Sequence, residues 1–170
     1  PMGSHHPAAT IEAMIRDLPE ATLLVLDEAY IDLAPPGTAP AIDPEHPGVI
    51  RLRTFSKAHG MAGARVGYAI TNAALAVAFD KVRNHFGIGR IAQSGALAAL
   101  GDTGHLARIQ ALTIRTRAQL AGIARDNGLD PLPSATNFVT MDCGRGGDFA
   151  RAVLRELTAR DIFIRMPGVA

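Results

Sequence analysis

Thr54-Phe55-Ser56-Lys57-Ala58-His59-Gly60-Met61-Ala62-Gly63-Ala64-Arg65-Val66-Gly67-Tyr68 is the stretch on which the reading of this chain turns. It holds Lys57, one of two lysines, in a protein that otherwise uses fifteen arginines for positive charge. An amine can act as a nucleophile and form a Schiff base with a carbonyl, whereas guanidinium stays protonated and suits the gripping of carboxylate or phosphate. Around Lys57 stand the Ser56 hydroxyl, the Arg65 guanidinium and glycines at 60, 63 and 67. The mixture suggests an amine beside a bound phosphate. The glycines equally permit a tight turn and close packing.

Outward from this stretch, helices and strands alternate. Val49 to Phe55 reads as a strand leading into the lysine, and Arg65 to Thr71 as the strand leaving it, with Gly60 and Gly63 in the turn between. Upstream, Leu23-Leu24-Val25-Leu26 is a short apolar run ending at Asp27, the pattern of a buried parallel strand. It follows a helix from Ala8 to Asp17 with Ile11, Met14 and Ile15 on one face and Thr10 or the preceding turn near its cap. Ala34 to Pro47, rich in Pro and Gly, is a surface loop. Downstream, Asn72 is placed to cap a helix from Ala73 to Val82. Helices follow at about Ile91 to Leu100 and from Thr103 to Asn127, the last with Leu106, Ile109, Leu112 and Ile114 expected on one side. After the break at Gly128 to Pro133 come an expected strand (Thr136 to Met141), a turn (Asp142 to Gly147), a helix (Phe149 to Ala159) and a final strand (Ile162 to Met166).

Composition sets the bounds. At 170 residues, 48% hydrophobic and 19% charged, the chain can bury a sizeable core and does not read as disordered. A net charge of +1 with both signs dispersed gives no basic face for nucleic acid. No apolar run is long enough to span a bilayer, so neither nucleic acid nor membrane is an expected partner. Cys143 stands alone, which excludes an internal disulfide and fits a reducing cytoplasm. His59 and His85 have no ligands at metal spacing, and no metal is expected. Pro1-Met2-Gly3-Ser4-His5-His6 reads either as the residue of an expression tag or as native sequence within a longer chain, and with the abrupt end at Ala170 the whole reads as a fragment.

In open parallel sheets ligands sit beyond the carboxyl ends of the strands, where Asp27 and the Ser56-Lys57 pair converge if their strands share a sheet. A carboxylate there can hold a protonated ring nitrogen, and Tyr30 can reach the same place with its hydroxyl. Ser56 and Arg65 can bind phosphate oxygens. Carboxylate for a pyridinium, amine for an aldehyde and cation for a phosphate together describe pyridoxal 5'-phosphate.

Leu26-Asp27-Glu28-Ala29-Tyr30, Thr54-Phe55-Ser56-Lys57-Ala58, then Gly60, Gly63, Arg65 and Gly67-Tyr68 resemble the core of class I/II pyridoxal-phosphate aminotransferases, most closely the histidinol-phosphate aminotransferases. The resemblance extends to Ala135-Thr136-Asn137-Phe138. It implies an α/β fold, with residues 1–102 part of a large cofactor-binding domain built on a mostly parallel sheet. Residues 103–170 would form a connecting helix and part of an α+β small domain. It implies that Lys57 forms the Schiff base, Asp27 pairs with the pyridine nitrogen, Tyr30 bonds the phenolic oxygen, and Ser56 and Arg65 hold the phosphate. Arg165, in the Ile164-Arg165 pair, would face the substrate's acidic group. The implied reaction is transamination between a small-molecule amino donor and a 2-oxo acid, with 2-oxoglutarate the expected acceptor, in a cytoplasmic homodimer.

Pro1-Met2-Gly3 resembles the end of the family's Asn-Pro-Thr-Gly turn. On that reading the glycine-rich phosphate loop, the stacking aromatic and a second substrate arginine lie outside this sequence, and the 170 residues alone are expected to be inactive. Asn84-His85-Phe86-Gly87-Ile88-Gly89 replaces a Tyr-Asn-Val-Asn-like stretch of the histidinol-phosphate enzymes. An aromatic aminotransferase, a threonine-phosphate decarboxylase of the same fold, and a cofactor-sensing domain of a transcription regulator therefore stay open beside the histidinol-phosphate reading.

Overall fold

The computed structural model describes residues 2–167. Its elements in chain order are α1 (Ala8–Arg16), β1 (Leu24–Asp27), β2 (Val49–Thr54), β3 (Gly67–Ile70), α2 (Ala73–Val82), α3 (Arg90–Gly101), α4 (Thr103–Asp126), β4 (Asp130–Pro131), β5 (Met141–Asp142) and α5 (Gly147–Thr158). Short 3-10 turns lie at Ile31–Leu33 and Ala62–Ala64. These residues divide into two compact units, His5–Leu112 and the described parts of Pro1–Ser4 with Thr113–Ala170, and the division falls within α4.

In the first unit β1, β2 and β3 form one sheet in that order. β1 and β2 run parallel with Asp27 opposite Leu52, while β2 and β3 run antiparallel with Thr54 opposite Gly67. The parallel pair brings the carboxyl ends of β1 and β2 to the same edge. The antiparallel return of β3 makes β2, the lysine turn and β3 a single hairpin-like excursion. Gly67 is required at its base: a Cβ there would stand 2.7 Å from the Arg53 carbonyl oxygen.

Strand β1 was expected to be buried on both faces, and it alternates instead. Leu24 and Leu26 are half-buried, whereas Val25 is 52% exposed, because only one face of this strand is covered by described residues. A core cluster lies at the base of the lysine turn, next to the Thr54–Gly67 pair, where Phe55 and Val66 pack with Ala96 of α3, backed by Met61, Ala64, Ala92 and Ala99. Burial of one such phenylalanine contributes roughly 1.5–3 kcal/mol. Small alanines on α3 let that helix approach closely.

The helices follow their sequence signals with two corrections. Asn72 caps α2, its Oδ1 accepting the Leu75 N–H at 3.0 Å, as its position before the apolar run implied. α1, in contrast, starts from Pro7 with no side-chain cap. On α4 Leu112 and Ile114 are exposed. At 100° per residue Leu112 stands about 240° around the helix from Leu106, so the four apolar residues do not form one stripe.

In the second unit the expected strand Thr136 to Met141 is reduced to Met141–Asp142, paired antiparallel with Asp130–Pro131. The reason is local competition for the backbone. Ser134 Oγ accepts from Thr136 N–H and donates to the Phe138 carbonyl, and Thr136 Oγ1 accepts from Phe138 N–H. Groups spent on hydroxyls cannot join a ladder. The expected final strand is also absent: Ile162 to Met166 forms no ladder among the described residues, and Phe163 is 80% exposed. Asp161 takes a left-handed φ of 58° at the end of α5, and the Ile162 N–H returns to the Leu157 carbonyl at 3.0 Å. That closure ends the helix without starting a strand.

Candidate active site

Strand β2 ends at Thr54, and the chain then turns on itself. Thr54 Oγ1 accepts from the Ser56 N–H at 3.1 Å and meets the Ser56 hydroxyl at 2.9 Å, so the serine is half-buried and oriented by its neighbour. The turn closes where the Gly60 N–H reaches the Lys57 carbonyl at 3.0 Å and the Met61 N–H reaches the Phe55 carbonyl at 3.0 Å. Gly60 has a φ of +68°, which glycine adopts without strain. Gly63 has neither a left-handed φ nor a close neighbour, so its identity is not demanded by the turn. Buried Ala58, 2% exposed, anchors the middle of the turn and leaves Lys57 half-buried beside it.

The Lys57 ammonium lies over the Tyr30 ring, 5.1 Å from its centroid. Among the described residues it has no carboxylate or hydrogen-bond partner. A half-buried lysine without a counter-ion is unusual, and cation–π attraction offsets only part of its desolvation. Such an amine is chemically available. Asp27, at the carboxyl end of β1, is exposed and accepts the Ala29 N–H at 3.0 Å. It shares its sheet face with Leu52 and Thr54 by the parallel register and strand alternation. Asp27, Tyr30, Ser56 and Lys57 thus all belong to the segments at one edge of the sheet.

Arg65 closes the excursion with φ 51° and ψ 48°, a left-handed conformation uncommon for a residue with a Cβ. One Nη donates to the Ala62 carbonyl at 2.9 Å, and the side chain is otherwise exposed, with donors left for an anion. Amine, two hydroxyls, carboxylate and guanidinium are groups able to hold an aldehyde-bearing aromatic phosphate, and an amine with no counter-ion among the described residues fits that use. Arg165 is exposed on the segment after α5, which belongs to the other compact unit. Two surface concavities, one bordered by Ile15, Pro19, Leu23 and His46 and the other by Arg83, Phe86, Ile88 and Gln93, lie away from the lysine turn.

The residue next to Asp27 is one that sequence reasoning passed over. Glu28, 7% exposed, accepts from Arg51 Nε at 2.9 Å through one oxygen and from Arg53 Nε at 2.8 Å through the other. Burial alone would lower the Arg53 pKa, but the hydrogen bonds and charges of Glu28 and Tyr68 outweigh it and leave the group above its ordinary value. The clamp ties the end of β1 to β2 and so fixes the spacing of Asp27 and Lys57. A signal was present: arginines two apart on an otherwise apolar strand face the same side, and call for a carboxylate.

A family model described as aminotransferase class I and II matches residues 1–168. A crystal structure of histidinol-phosphate aminotransferase from Sinorhizobium meliloti in complex with pyridoxal-5'-phosphate superposes with a TM-score of 0.94 at 51% identity, covering 100% of this chain and 47% of that one. Histidinol-phosphate aminotransferase 2 of Methylococcus capsulatus is 39% identical over 99% of this chain and 45% of its own length. An aspartate aminotransferase from Thermotoga maritima shares the fold at 22% identity, with a TM-score of 0.78 over 92% of this chain and 43% of its own. The chain spans about half the length of the relatives it matches.

Proposed function

The chain belongs to the class I and II aminotransferases, and on that premise we propose that it is the lysine-bearing part of a pyridoxal-phosphate-dependent transaminase of the histidinol-phosphate type. The observation that carries the proposal is the Lys57 amine, which among the described residues has no counter-ion, stands over Tyr30 and sits at the edge where β1 and β2 end together. Lys57 is the residue that bears the cofactor. Asp27 holds its ring nitrogen, Tyr30 its phenolic oxygen, and Ser56 with Arg65 its phosphate. When bound, pyridoxal phosphate supplies an electron-withdrawing ring that stabilises negative charge at the substrate's alpha carbon.

The remaining work falls to this chain's own groups. As a neutral amine, Lys57 Nζ would take the proton from the substrate's alpha carbon as general base and hold it as the ammonium for return as general acid, a role typically contributing 10²–10⁴-fold. The Asp27 carboxylate keeps positive charge on the ring nitrogen beside it by direct electrostatic pairing. The Glu28 clamp keeps Asp27 and the lysine turn from drifting apart, which matters because small misplacement costs rate. Arg165 is proposed to meet the substrate's acidic group, 2-oxoglutarate to be the amino acceptor, and the assembled enzyme to be a homodimer.

The test is to incubate the protein that carries this chain with pyridoxal phosphate, trap the adduct with borohydride and map the modified peptide. Modification at Lys57 with Lys81 untouched is the expected result. Modification shared equally between the two lysines would overturn the assignment. Product formation from histidinol phosphate, compared with aromatic amino acids, then decides the substrate.

A further inference from the structure

The lysine turn carries a second polar residue, His59, that the proposed chemistry does not use. Its side chain is 9% exposed, with Nε2 facing Asp32 Oδ2 at 3.9 Å. Its ring packs on Phe55 with centroids 5.1 Å apart, and its Nδ1 is buried with no hydrogen-bond partner among the described residues. Burying an unpaired imidazole nitrogen is costly, so a site that needed only its volume filled would be better served by an apolar side chain. Asp32 is itself held in place. It sits in the Ile31–Leu33 turn, closed by the Leu33 N–H on the Tyr30 carbonyl at 2.9 Å, and its own carbonyl accepts from Gln110 of α4 at 2.8 Å. Two contacts thus run in step between the same two segments: Lys57 over Tyr30 and, two residues further along each, His59 against Asp32.

Resting on the reading of Lys57 above, we propose that His59 is a positioning residue whose imidazole, drawn to Asp32, holds the Lys57 turn against the Tyr30 segment and so sets where the amine stands. At 3.9 Å the contact is longer than a hydrogen bond, and the attraction is electrostatic, between a buried imidazole and a partly exposed carboxylate. The Nε2–H dipole of the neutral ring and the full charge of the protonated ring both point the same way. His59 acts through Lys57 and does not touch the reacting atoms.

The experiment uses the protein that carries this chain, with His59→Phe to keep the ring, His59→Gln to keep a donor, Asp32→Asn, and the His59→Phe/Asp32→Asn pair. Competitive acetylation without added cofactor, read by peptide mapping, gives the reactivity of Lys57 with Lys81 as internal reference. His59→Phe and Asp32→Asn are each expected to change the Lys57 to Lys81 ratio by about threefold or more, and the double variant by no more than either alone, as for coupled neighbours. His59→Gln should restore most of the ratio. In turnover with pyridoxal phosphate, His59→Phe should lower kcat by about threefold or more while KM for the amino donor changes less than about twofold. An unchanged acetylation ratio accompanied only by a lower melting temperature would reduce His59 to packing, and additive effects in the double variant would remove Asp32 as its partner. A parent protein with no transaminase activity that still shows the coupled acetylation pattern would break the proposed function and leave the positioning role standing.

Discussion

The two units of the chain solve the same problem, keeping short irregular segments in place, by different physics. The lysine-bearing unit buries charge: Glu28 is clamped between Arg51 and Arg53, and a sheet of three strands fixes the distances around it. Among its described residues the second unit has only a two-residue ladder and relies on the Ser134 and Thr136 hydroxyls, together with exposed ion pairs such as that of Arg160 with Glu156. Buried charge is unforgiving, because each partner depends on the other. Local hydroxyl bonds are tolerant and can reform with water. The difference assigns precision to the unit that holds the lysine and leaves the other free to vary.

Perturbing each unit in turn can break this contrast. The largest effect is expected at the lysine itself: Lys57→Arg should reduce transaminase turnover by about 10³-fold or more while retaining some cofactor affinity, since guanidinium keeps the charge but not the nucleophile. Lys81→Arg, on the exposed end of α2, should leave turnover unchanged. Steady-state assay of the two variants decides. Next comes the clamp, where Glu28→Gln leaves two partly buried guanidiniums without their carboxylate and should cost about 3 kcal/mol in denaturant unfolding. A loss no greater than that of a surface substitution would erase the distinction between the units.

A smaller effect is expected where backbone meets backbone. Gly67→Ala places a Cβ 2.7 Å from the Arg53 carbonyl oxygen and should destabilise by about 1–3 kcal/mol, with Gly63→Ala, which meets nothing, as the matched control. The least effect is expected in the second unit: Glu156→Gln removes one side of an ion pair whose side chains are 62% and 71% exposed, and should change stability by no more than about 0.5 kcal/mol.

The legible parts of the sequence were those in which one residue type has one local use. Asn72 before an apolar helix and Gly60 in a turn both act where they were read. The motif puts Asp27 at the end of β1 and Lys57 in the turn after β2, because the ends of adjacent parallel strands share an edge. What escaped reading depends on partners far along the chain. The sign of Glu28's burial lay not beside it but in the paired Arg51 and Arg53, 23 and 25 residues further on, and His59 had no meaning before Asp32. The two misread strands failed for the opposite reason. Thr136 to Met141 has strand composition, but its hydroxyls bond the backbone nearer to hand, and Ile162 to Met166 alternates without a ladder to join. Apolar alternation states a willingness to pair, and pairing needs a second strand.

Arg65 carries a consequence for how such a chain can drift. Its left-handed backbone is a conformation that glycine would hold without penalty, relieving roughly 1 kcal/mol. A sequence shaped by folding alone would carry glycine at this position, as it does at Gly60 five residues earlier. On the phosphate-holding role proposed for it, the contact that the Arg65 guanidinium makes in the working protein has to outweigh the strain of this left-handed backbone.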